Sequence, residues 1–436
     1  MFKKLKRAAK GAAVPQEEGT AKMATVKMPL PTKIILPMVQ HIGAPCEPCV
    51  KKGDTVMVGT LVGKAGGFVS ANIYSSVSGT VSAIDNVRMS NGRFCPAVVI
   101  QPDGEQTPDP AIKAPVVTDQ ESFVKAVADC GLVGLGGAGF PTAVKLSPKT
   151  PVDTLVINGA ECEPYLTGDA REFLEHSETV MSGIEAVMKY LSIEKCIIGI
   201  ENNKPECIDL MCSLARGTKG ITVKPLPSRY PQGAEKVLIE KTTGREVPQG
   251  GLPSDVGVIV MNVTTVSTIG KFLITGMPLV AKRVTVDGDA VANPQNVEVL
   301  IGTPMQEVLD FCGLKEEVAL GKVIMGGPMM GVAVADTALP ILKQNNGLLA
   351  FSEEKAALPV PSACIRCGRC IEACPMGLSP VEIAGAFAKG DAAQLAKLDI
   401  DLCMLCGSCS FVCPAKRPVT QTMGLAKDLA RKEAQK

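Results

Sequence analysis

The chain has 436 residues, of which 46% are hydrophobic, and this length is enough for about three or four domains. Its formal net charge is +1 and only 20% of its residues are charged, so no overall field favours nucleic acid or acidic substrates. Tryptophan is absent and there are four tyrosines, which further disfavours a nucleic-acid-binding protein because base stacking needs aromatic side chains.

Residues 1–30 are predicted to form a basic, flexible leader. The first residues, MFKKLKRAAKGA, carry positive charge but lack the apolar core of a secretory signal. Elsewhere, the most apolar stretch (residues 256–280) is interrupted by Asn262 and Lys271 and does not resemble a membrane-spanning helix. We therefore expect a cytosolic chain whose cysteines are reduced.

Short strands separated by glycine turns are predicted in residues 31–115, where a KKGD turn precedes alternating valines. This pattern resembles the barrel-sandwich fold of lipoyl and biotinyl carrier domains. Those carriers present a modifiable lysine, whereas the matching stretch Ser70–Tyr74 contains none, so a docking or scaffolding role is expected. Cys46 and Cys49 form an isolated CxxC, which we interpret as incidental.

Alternating strand and helix patterns predict an α/β domain in residues 116–275. Early in this domain, a predicted helix leads into a loop with five glycines in nine residues. Gly134, Gly136 and Gly139 match GxGxxG, but a Rossmann fingerprint follows a strand and this loop follows a helix. The loop is either a flexible hinge or a nest of free N–H groups that binds an anion, with Lys145 close enough to add positive charge.

The pattern changes again at about residue 276. The strings KRVTVDGDAV and NVEVLIG, followed by a predicted helix at Met305–Phe311, resemble a small β-grasp domain of the SLBB type. We assign this domain to residues 276–350. The predicted fold class is thus multidomain, with α/β and α+β parts.

Residues 351–436 contain two identical runs of four cysteines and are predicted to form a helical, two-cluster ferredoxin-like domain. Each run has the spacing Cys-x2-Cys-x2-Cys-x3-Cys-Pro, by which bacterial-type ferredoxins hold two [4Fe–4S] clusters, the fourth cysteine of each run ligating the other run's cluster. Structural zinc and disulfides fit this pattern poorly. The rule predicts one cluster on Cys364, Cys367, Cys370 and Cys413, and the other on Cys403, Cys406, Cys409 and Cys374.

The string GLGGAGFPTAVK resembles the FMN loop of the NADH-oxidising subunit of respiratory complex I. Segments that begin at Asn158, Gln232 and Met261 resemble three further motifs of that family, in the same order. Together with the carrier-like domain and the cysteine runs, INGAECEPYLTGDAR and GLVGLGGAGFPT resemble the C subunit of the Rnf family. Rnf complexes couple ferredoxin:NAD+ electron transfer to ion pumping across the bacterial membrane.

The resemblance implies sites for one non-covalent FMN and for NAD(H), with no acid–base or nucleophilic catalyst. By this resemblance, the backbone of four glycines would lie against the flavin and nucleotide: Gly134, Gly136, Gly137 and Gly139. Hydrogen bonds to flavin phosphate, ribityl or ring atoms would come from Lys145, Asn158 and Asn262. The nicotinamide nucleotide would lie near Glu161, Glu163 and Glu235 with the neighbouring Gly233, and Phe140 would stack on an aromatic ring.

As a whole, the resemblance implies a peripheral subunit on the cytoplasmic face of the bacterial membrane. It would exchange electrons between NAD(H) and membrane-embedded and ferredoxin-like partner subunits, and it would reach the membrane through those partners. Leu135, Ala160, Ala234 and Met261 depart from the complex I motifs. Two alternatives therefore stay open, the cobalamin reductase of a microcompartment and a non-enzymatic electron-relay or docking subunit with a decayed flavin site.

Overall fold

A computed structural model describes residues 11–434 of the chain. Within this part of the chain, four sheets and a C-terminal group of helices form a mixed α/β structure. No helix among these residues combines the length and the apolar character that crossing a membrane requires.

Residues 11–30 lie along the α/β and β-grasp domains. The Ala12 amide donates to the Tyr230 carbonyl at 2.7 Å, and the Tyr230 amide donates back at 3.0 Å. Strand β1 (Val26–Lys27) pairs in parallel with the strand that contains Val297. Main-chain hydrogen bonds thus hold this segment in place, unlike the flexible leader expected from the sequence, whose first ten residues lie outside the described part.

The barrel-sandwich region consists of two small antiparallel sheets with strand orders β2-β8-β7-β4 and β3-β5-β6. Its core is built from inward-facing apolar residues such as Leu36, Val81 and Val98, all fully buried. The strands are β2 (Ile34–Pro37), β3 (Glu47–Pro48), β4 (Thr55–Val56), β5 (Leu61–Lys64), β6 (Ile73–Tyr74), β7 (Gly79–Arg88) and β8 (Phe94–Pro102).

The α/β domain has a four-stranded parallel sheet in the order β11-β10-β9-β12. The strands are nearly continuous apolar runs because helices cover both faces of a parallel sheet. The elements are α1 (Gln120–Asp129), α2 (Thr142–Lys145), β9 (Thr154–Gly159), α3 (Gly168–Glu175), α4 (Ser177–Tyr190), β10 (Lys195–Glu201), α5 (Pro205–Ala215), β11 (Ile221–Leu226), α6 (Glu235–Thr243), a 3-10 helix (Pro253–Val256), β12 (Val258–Asn262) and α7 (Val263–Thr275).

The β-grasp domain contains a six-stranded mixed sheet in the order β1-β14-β13-β17-β15-β16, so the N-terminal segment supplies its edge strand. Helix α8 packs its buried residues Val308 and Leu309 into the core of this domain. The elements are β13 (Ala281–Asp287), β14 (Gln295–Leu300), α8 (Met305–Cys312), β15 (Leu320–Met325), β16 (Val332–Val334), β17 (Gly347–Ser352) and α9 (Glu353–Ala356).

The C-terminal domain is helical and packs around a small apolar core that includes Ile383, Leu395 and Met423. Its two cysteine runs form the loops that precede and include α10 and α13. The elements are α10 (Arg369–Glu372), α11 (Pro380–Ala388), α12 (Ala392–Lys397), a 3-10 helix (Ile400–Leu402), α13 (Ser408–Phe411) and α14 (Val419–Ala434).

Candidate functional site

The strand order of the parallel sheet marks one place for a ligand. In chain order, β9, β10 and β11 run outward in one direction, and β12 returns to the other side of β9. Ligands of open α/β sheets bind at the carboxyl edge where the strand order reverses. Asn158 and Asn262 lie at that edge, opposite each other in register near the ends of β9 and β12.

The glycine loop (residues 131–141) lies over this edge. It is closed by a hydrogen bond from the Gly134 amide to the Phe140 carbonyl at 2.9 Å, and the Leu135 amide donates to Thr265 Oγ1 at 3.0 Å. At Gly136, a Cβ would come within 2.5 Å of the Asn262 amide nitrogen. Only glycine therefore allows the loop to approach the N-terminus of α7 this closely.

Two more predicted segments, around Lys145 and Gly233, are hydrogen-bonded to the strands that form this edge. The Lys145 amine donates to Glu235 Oε1 at 2.7 Å and to the Val260 carbonyl at 3.0 Å. Asn158 Nδ2 donates to the Gly233 carbonyl at 2.8 Å. Both Lys145 and Glu235 stay about one-third exposed, at 32% and 40% of their side-chain surface, so their charges remain accessible to a ligand.

Glu161 is linked to this edge through hydrogen bonds at the N-terminus of α3. Its carboxylate accepts the Asp169 and Ala170 amides at 3.0 and 3.2 Å, in the manner of a helix cap for α3. Asp169 in turn accepts Asn262 Nδ2 at 2.7 Å and the Thr264 hydroxyl at 2.9 Å. Burial raises the pKa of Glu161, and the neighbouring Asp169 charge raises it further.

Lys282 is a buried cation beneath the glycine loop that the sequence reasoning missed. It comes from β13 of the β-grasp domain, and its amine donates to the Lys343 carbonyl at 2.9 Å and to the Leu135 carbonyl at 3.4 Å. Burial lowers the pKa of Lys282 to about 7, and the charge of Asp169 opposes that shift. In sequence, a lysine within a strand pattern gives no signal of burial.

Eleven of the twelve residues that were predicted to contact flavin or nucleotide lie in the glycine loop or in the segments that meet at this edge. Glu163 is the exception, because its carboxylate accepts the Met329 and Met330 amides, each at 2.9 Å, and so faces the β-grasp domain. Phe140 is half-buried, and its stacking on a ligand ring stays a prediction. Thr265 belongs to the edge but carried no motif in the sequence, and Asp169 lies within the string INGAECEPYLTGDAR but was given no role there.

The geometry fits a flavin nucleotide. The backbone at Gly136–Ala138 is exposed, and a Cβ at Gly137 would meet nothing within 4 Å, so this stretch leaves room for a flat ligand. The N-terminus of α7 lies beside it, because its capping residue Asn262 is next to Gly136, and helix N-termini favour anionic groups such as phosphate. That Lys145, Asn158 and Asn262 hold such a group stays a prediction.

Cys403, Cys406 and Cys409 of the second run line one small cavity in the C-terminal domain together with Cys374 of the first run. We call Cys403, Cys406, Cys409 and Cys374 the inner quartet. The cavity joins Cys374 of the first run with three cysteines of the second, as the crosswise rule predicts. The Leu378 amide donates to Cys374 Sγ at 3.4 Å, a hydrogen bond of the kind that tunes cluster potential.

We call Cys364, Cys367, Cys370 and Cys413 the outer quartet; Cys370 and Cys413 are partly buried. Cys364 and Cys367 are exposed, whereas Cys406 of the inner quartet is only 8% exposed. Among residues 11–434, no three His, Cys, Asp or Glu side chains converge on a single metal ion.

The inner quartet is packed against the α/β domain. Cys406, Cys162 and Tyr230 form one buried apolar cluster with Met329 and Met404 around them. Cys162 lies between two residues of the ligand edge, Glu161 and the Gly233 amide, which is 3.4 Å from Cys162 Sγ. The inner quartet therefore packs against the segment after β9, which also carries Glu161.

Comparison with known families assigns each domain. The match that decides the α/β domain is the Nuo51 FMN-binding domain, which covers residues 127–271. The others are the RnfC barrel sandwich hybrid domain (residues 6–105), the SLBB domain (residues 283–333) and the 4Fe-4S dicluster domain (residues 361–417).

Three curated relatives are similar over most of their length. The C subunit of the Na(+)-translocating ferredoxin:NAD(+) oxidoreductase complex of Acetobacterium woodii is 46% identical, over 83% of this chain and 84% of that protein. The chain belongs to the RnfC family. The C subunit of the proton-translocating complex of Clostridium ljungdahlii is 44% identical over 86% and 82%, and that of the Rhodobacter capsulatus ion-translocating complex is 39% identical over 92% and 78%.

A solved structure shares the fold. The NAD+-reducing [NiFe]-hydrogenase in its H2-reduced state superposes with a TM-score of 0.51 at 20% identity, over 72% of this chain and 63% of that chain. Membership of the RnfC family and the four domain matches confirm the predicted fold class. They also confirm FMN and two [4Fe–4S] clusters as cofactors, and hence a flavin and iron–sulfur oxidoreductase.

Proposed function

We propose that this chain is the peripheral, NAD(H)-reacting subunit of an ion-translocating ferredoxin:NAD+ oxidoreductase, docked on the cytoplasmic face of the membrane. The observation that carries the proposal is the meeting of the predicted flavin segments at the switch point of the parallel sheet, with the inner quartet packed against the segment after β9. Family membership supports the complex, its partner subunits and NAD(H) as the substrate.

Bound FMN supplies the chemistry that converts hydride transfer with NAD(H) into single-electron transfer with iron–sulfur clusters. The chain's own residues hold and orient that group. Lys145 and the N-terminus of α7 provide positive potential for its phosphate, and Asn158 and Asn262 supply hydrogen bonds fixed by their strand positions. No side chain has to act as an acid, a base or a nucleophile in this reaction.

We propose further that the two clusters have a fixed order. The inner quartet is nearer the flavin because Cys406 packs against Cys162 and Tyr230 of the α/β domain. The outer quartet is the side that meets partner subunits, because Cys364 and Cys367 are exposed. Exposed apolar residues flank these thiols, with Val360 at 90% and Ile365 at 67% exposure, as in a surface that a partner covers.

The test is anaerobic reconstitution of the full chain with FMN, iron and sulfide, followed by titration with NADH. Flavin and cluster absorbance should bleach together in the wild-type protein. The variant Lys145→Met should lose about 1–2 kcal/mol of FMN binding, about a five- to thirtyfold weaker affinity, because it removes a charged hydrogen-bond donor. Lys149→Met is the matched control, since Lys149 is exposed four residues further along the chain.

A protein with intact clusters that neither binds FMN nor is reduced by NADH would contradict this proposal and favour a relay subunit. Equal FMN affinity in the two lysine variants would contradict the assigned phosphate site while leaving the family function intact.

A further inference from the structure

A glycine-rich turn of the β-grasp domain lies between the ligand edge and the inner quartet. This turn, residues 326–331 with the sequence GGPMMG, joins β15 to β16. It is closed by a hydrogen bond from the Gly331 amide to the Gly327 carbonyl at 2.8 Å. Gly326 adopts a φ of +93°, which side-chain-bearing residues rarely reach.

One side of the turn is held by Glu163 of the α/β domain. The two carboxylate oxygens each accept one amide of the turn, Met329 on Oε2 and Met330 on Oε1, and Tyr230 donates to Oε1 at 3.4 Å. At Gly327, a Cβ would come within 2.3 Å of the carboxylate, so the turn approaches Glu163 as closely as a glycine allows. Burial raises the pKa of Glu163, and the amide donors oppose that shift.

The other side of the turn touches the inner quartet. A Cβ at Gly407, the residue after Cys406, would come within 2.9 Å of the Met329 carbonyl. The Met329 side chain packs in the same apolar cluster as Cys406, Cys162 and Tyr230. The turn is therefore a spacer with Glu163 on one face and the loop of the inner quartet on the other.

We propose that Glu163 is a positioning residue, a latch that fixes the turn at 326–331 and thereby sets the distance between the flavin site and the inner cluster. Both Glu163 oxygens accept backbone amides of another domain. This arrangement suits a positioning role better than the contact with nicotinamide that the family resemblance implied. The inference rests on the proposed function, because the distance matters only if electrons pass between the two groups.

Two variants disturb the latch from opposite domains. In Glu163→Gln, the side chain keeps one acceptor oxygen, whereas the Met329 and Met330 amides each donate to a different oxygen of the native carboxylate. In Gly327→Ala, the added methyl pushes against Glu163 from the turn and alters no residue assigned to NAD(H). The matched controls are Glu178→Gln, at an exposed glutamate, and Gly217→Ala, at a glycine with open space beside it.

Three measurements on the reconstituted full chain separate the possible roles. Hydrogen exchange at the Met329 and Met330 amides reports the latch directly, and we expect exchange about tenfold faster in both variants. Stopped-flow absorbance gives the rate of cluster reduction by NADH, which we expect to fall about tenfold, since small misplacements are costly in preorganised sites. Reduction of a soluble dye by NADH reports the flavin site alone, and its KM and kcat should not change.

A raised KM for NADH in Glu163→Gln, with Gly327→Ala behaving as wild type, would overturn the latch in favour of a nicotinamide contact. Unchanged cluster reduction in both variants would overturn it as well. If the wild-type flavin is not reduced by NADH, the proposed function fails, and the hydrogen-exchange comparison still decides whether Glu163 holds the turn.

Discussion

The two cysteine runs have the same spacing but different surroundings. In the second run, Cys406 is 8% exposed, and its loop packs against the α/β domain and the turn at 326–331. In the first run, Cys364 and Cys367 are exposed, and so are the residues before and between them. Identical motifs thus build one cluster site inside the molecule and one at its surface.

This difference assigns a direction to a pair of sites that spacing alone leaves symmetric. A cluster in protein surroundings exchanges electrons with what is packed against it, and solvent exposure is among the features that set its potential. The inner quartet faces the ligand edge and the outer quartet faces solvent. The following predictions test that contrast, from the largest expected effect to the smallest.

The largest effect should come from removing one ligand in each quartet. Cys406→Ser and Cys367→Ser occupy the same position in their runs, and each should leave about four instead of about eight iron atoms per chain. NADH should still reduce the remaining cluster in Cys367→Ser but not in Cys406→Ser, which electron paramagnetic resonance after NADH addition can show. Equal reduction in both variants would break the proposed order of the clusters.

An iron chelator should remove iron from the two clusters at different rates. We expect an iron chelator to remove the outer cluster first, because Cys364 and Cys367 are exposed, whereas the inner loop is packed on two sides. Hydrogen exchange of the cluster-free protein should then be faster in residues 361–370 than in residues 403–409. The measurement is absorbance against time together with mass-resolved exchange. Loss of both clusters at one rate would argue against the contrast.

The smallest effect concerns stability. Met404 and Ile365 follow the first cysteine of their runs, but Met404 packs beside Cys162 and Tyr230 while Ile365 is 67% exposed. Met404→Ala should lower the free energy of unfolding of the cluster-loaded protein by about 1–2 kcal/mol. Ile365→Ala should change it by less than about 0.5 kcal/mol. Denaturant titration checks both, and similar values for the two would show that the inner loop is not packed as described.

The candidate site was largely predictable, because its chemistry is local in sequence. Four glycines, Lys145 and the strand-end asparagines lie in short strings whose residue types suit a bound nucleotide. The two clusters were also predictable, since a cube imposes fixed intervals on the loop that wraps it, and the 4Fe-4S dicluster match covers both runs; the ligand set of each cluster stays a prediction. Lys282 was missed and Asp169, although it lies in a quoted string, was given no role, because both act through partners far away in the chain and no local pattern reveals such contacts.

By itself, the sequence indicated the strand and helix pattern and the two clusters, because turn chemistry, periodicity and ligand spacing are local properties. FMN and the domain types were what the family resemblance implied. The tertiary structure alone decided which quartet lies inside, where Glu163 points and how residues 11–30 are held. Those outcomes depend on which domain surfaces meet. Packing between segments more than a hundred residues apart fixes them, as in the contact between Glu163 and Met329.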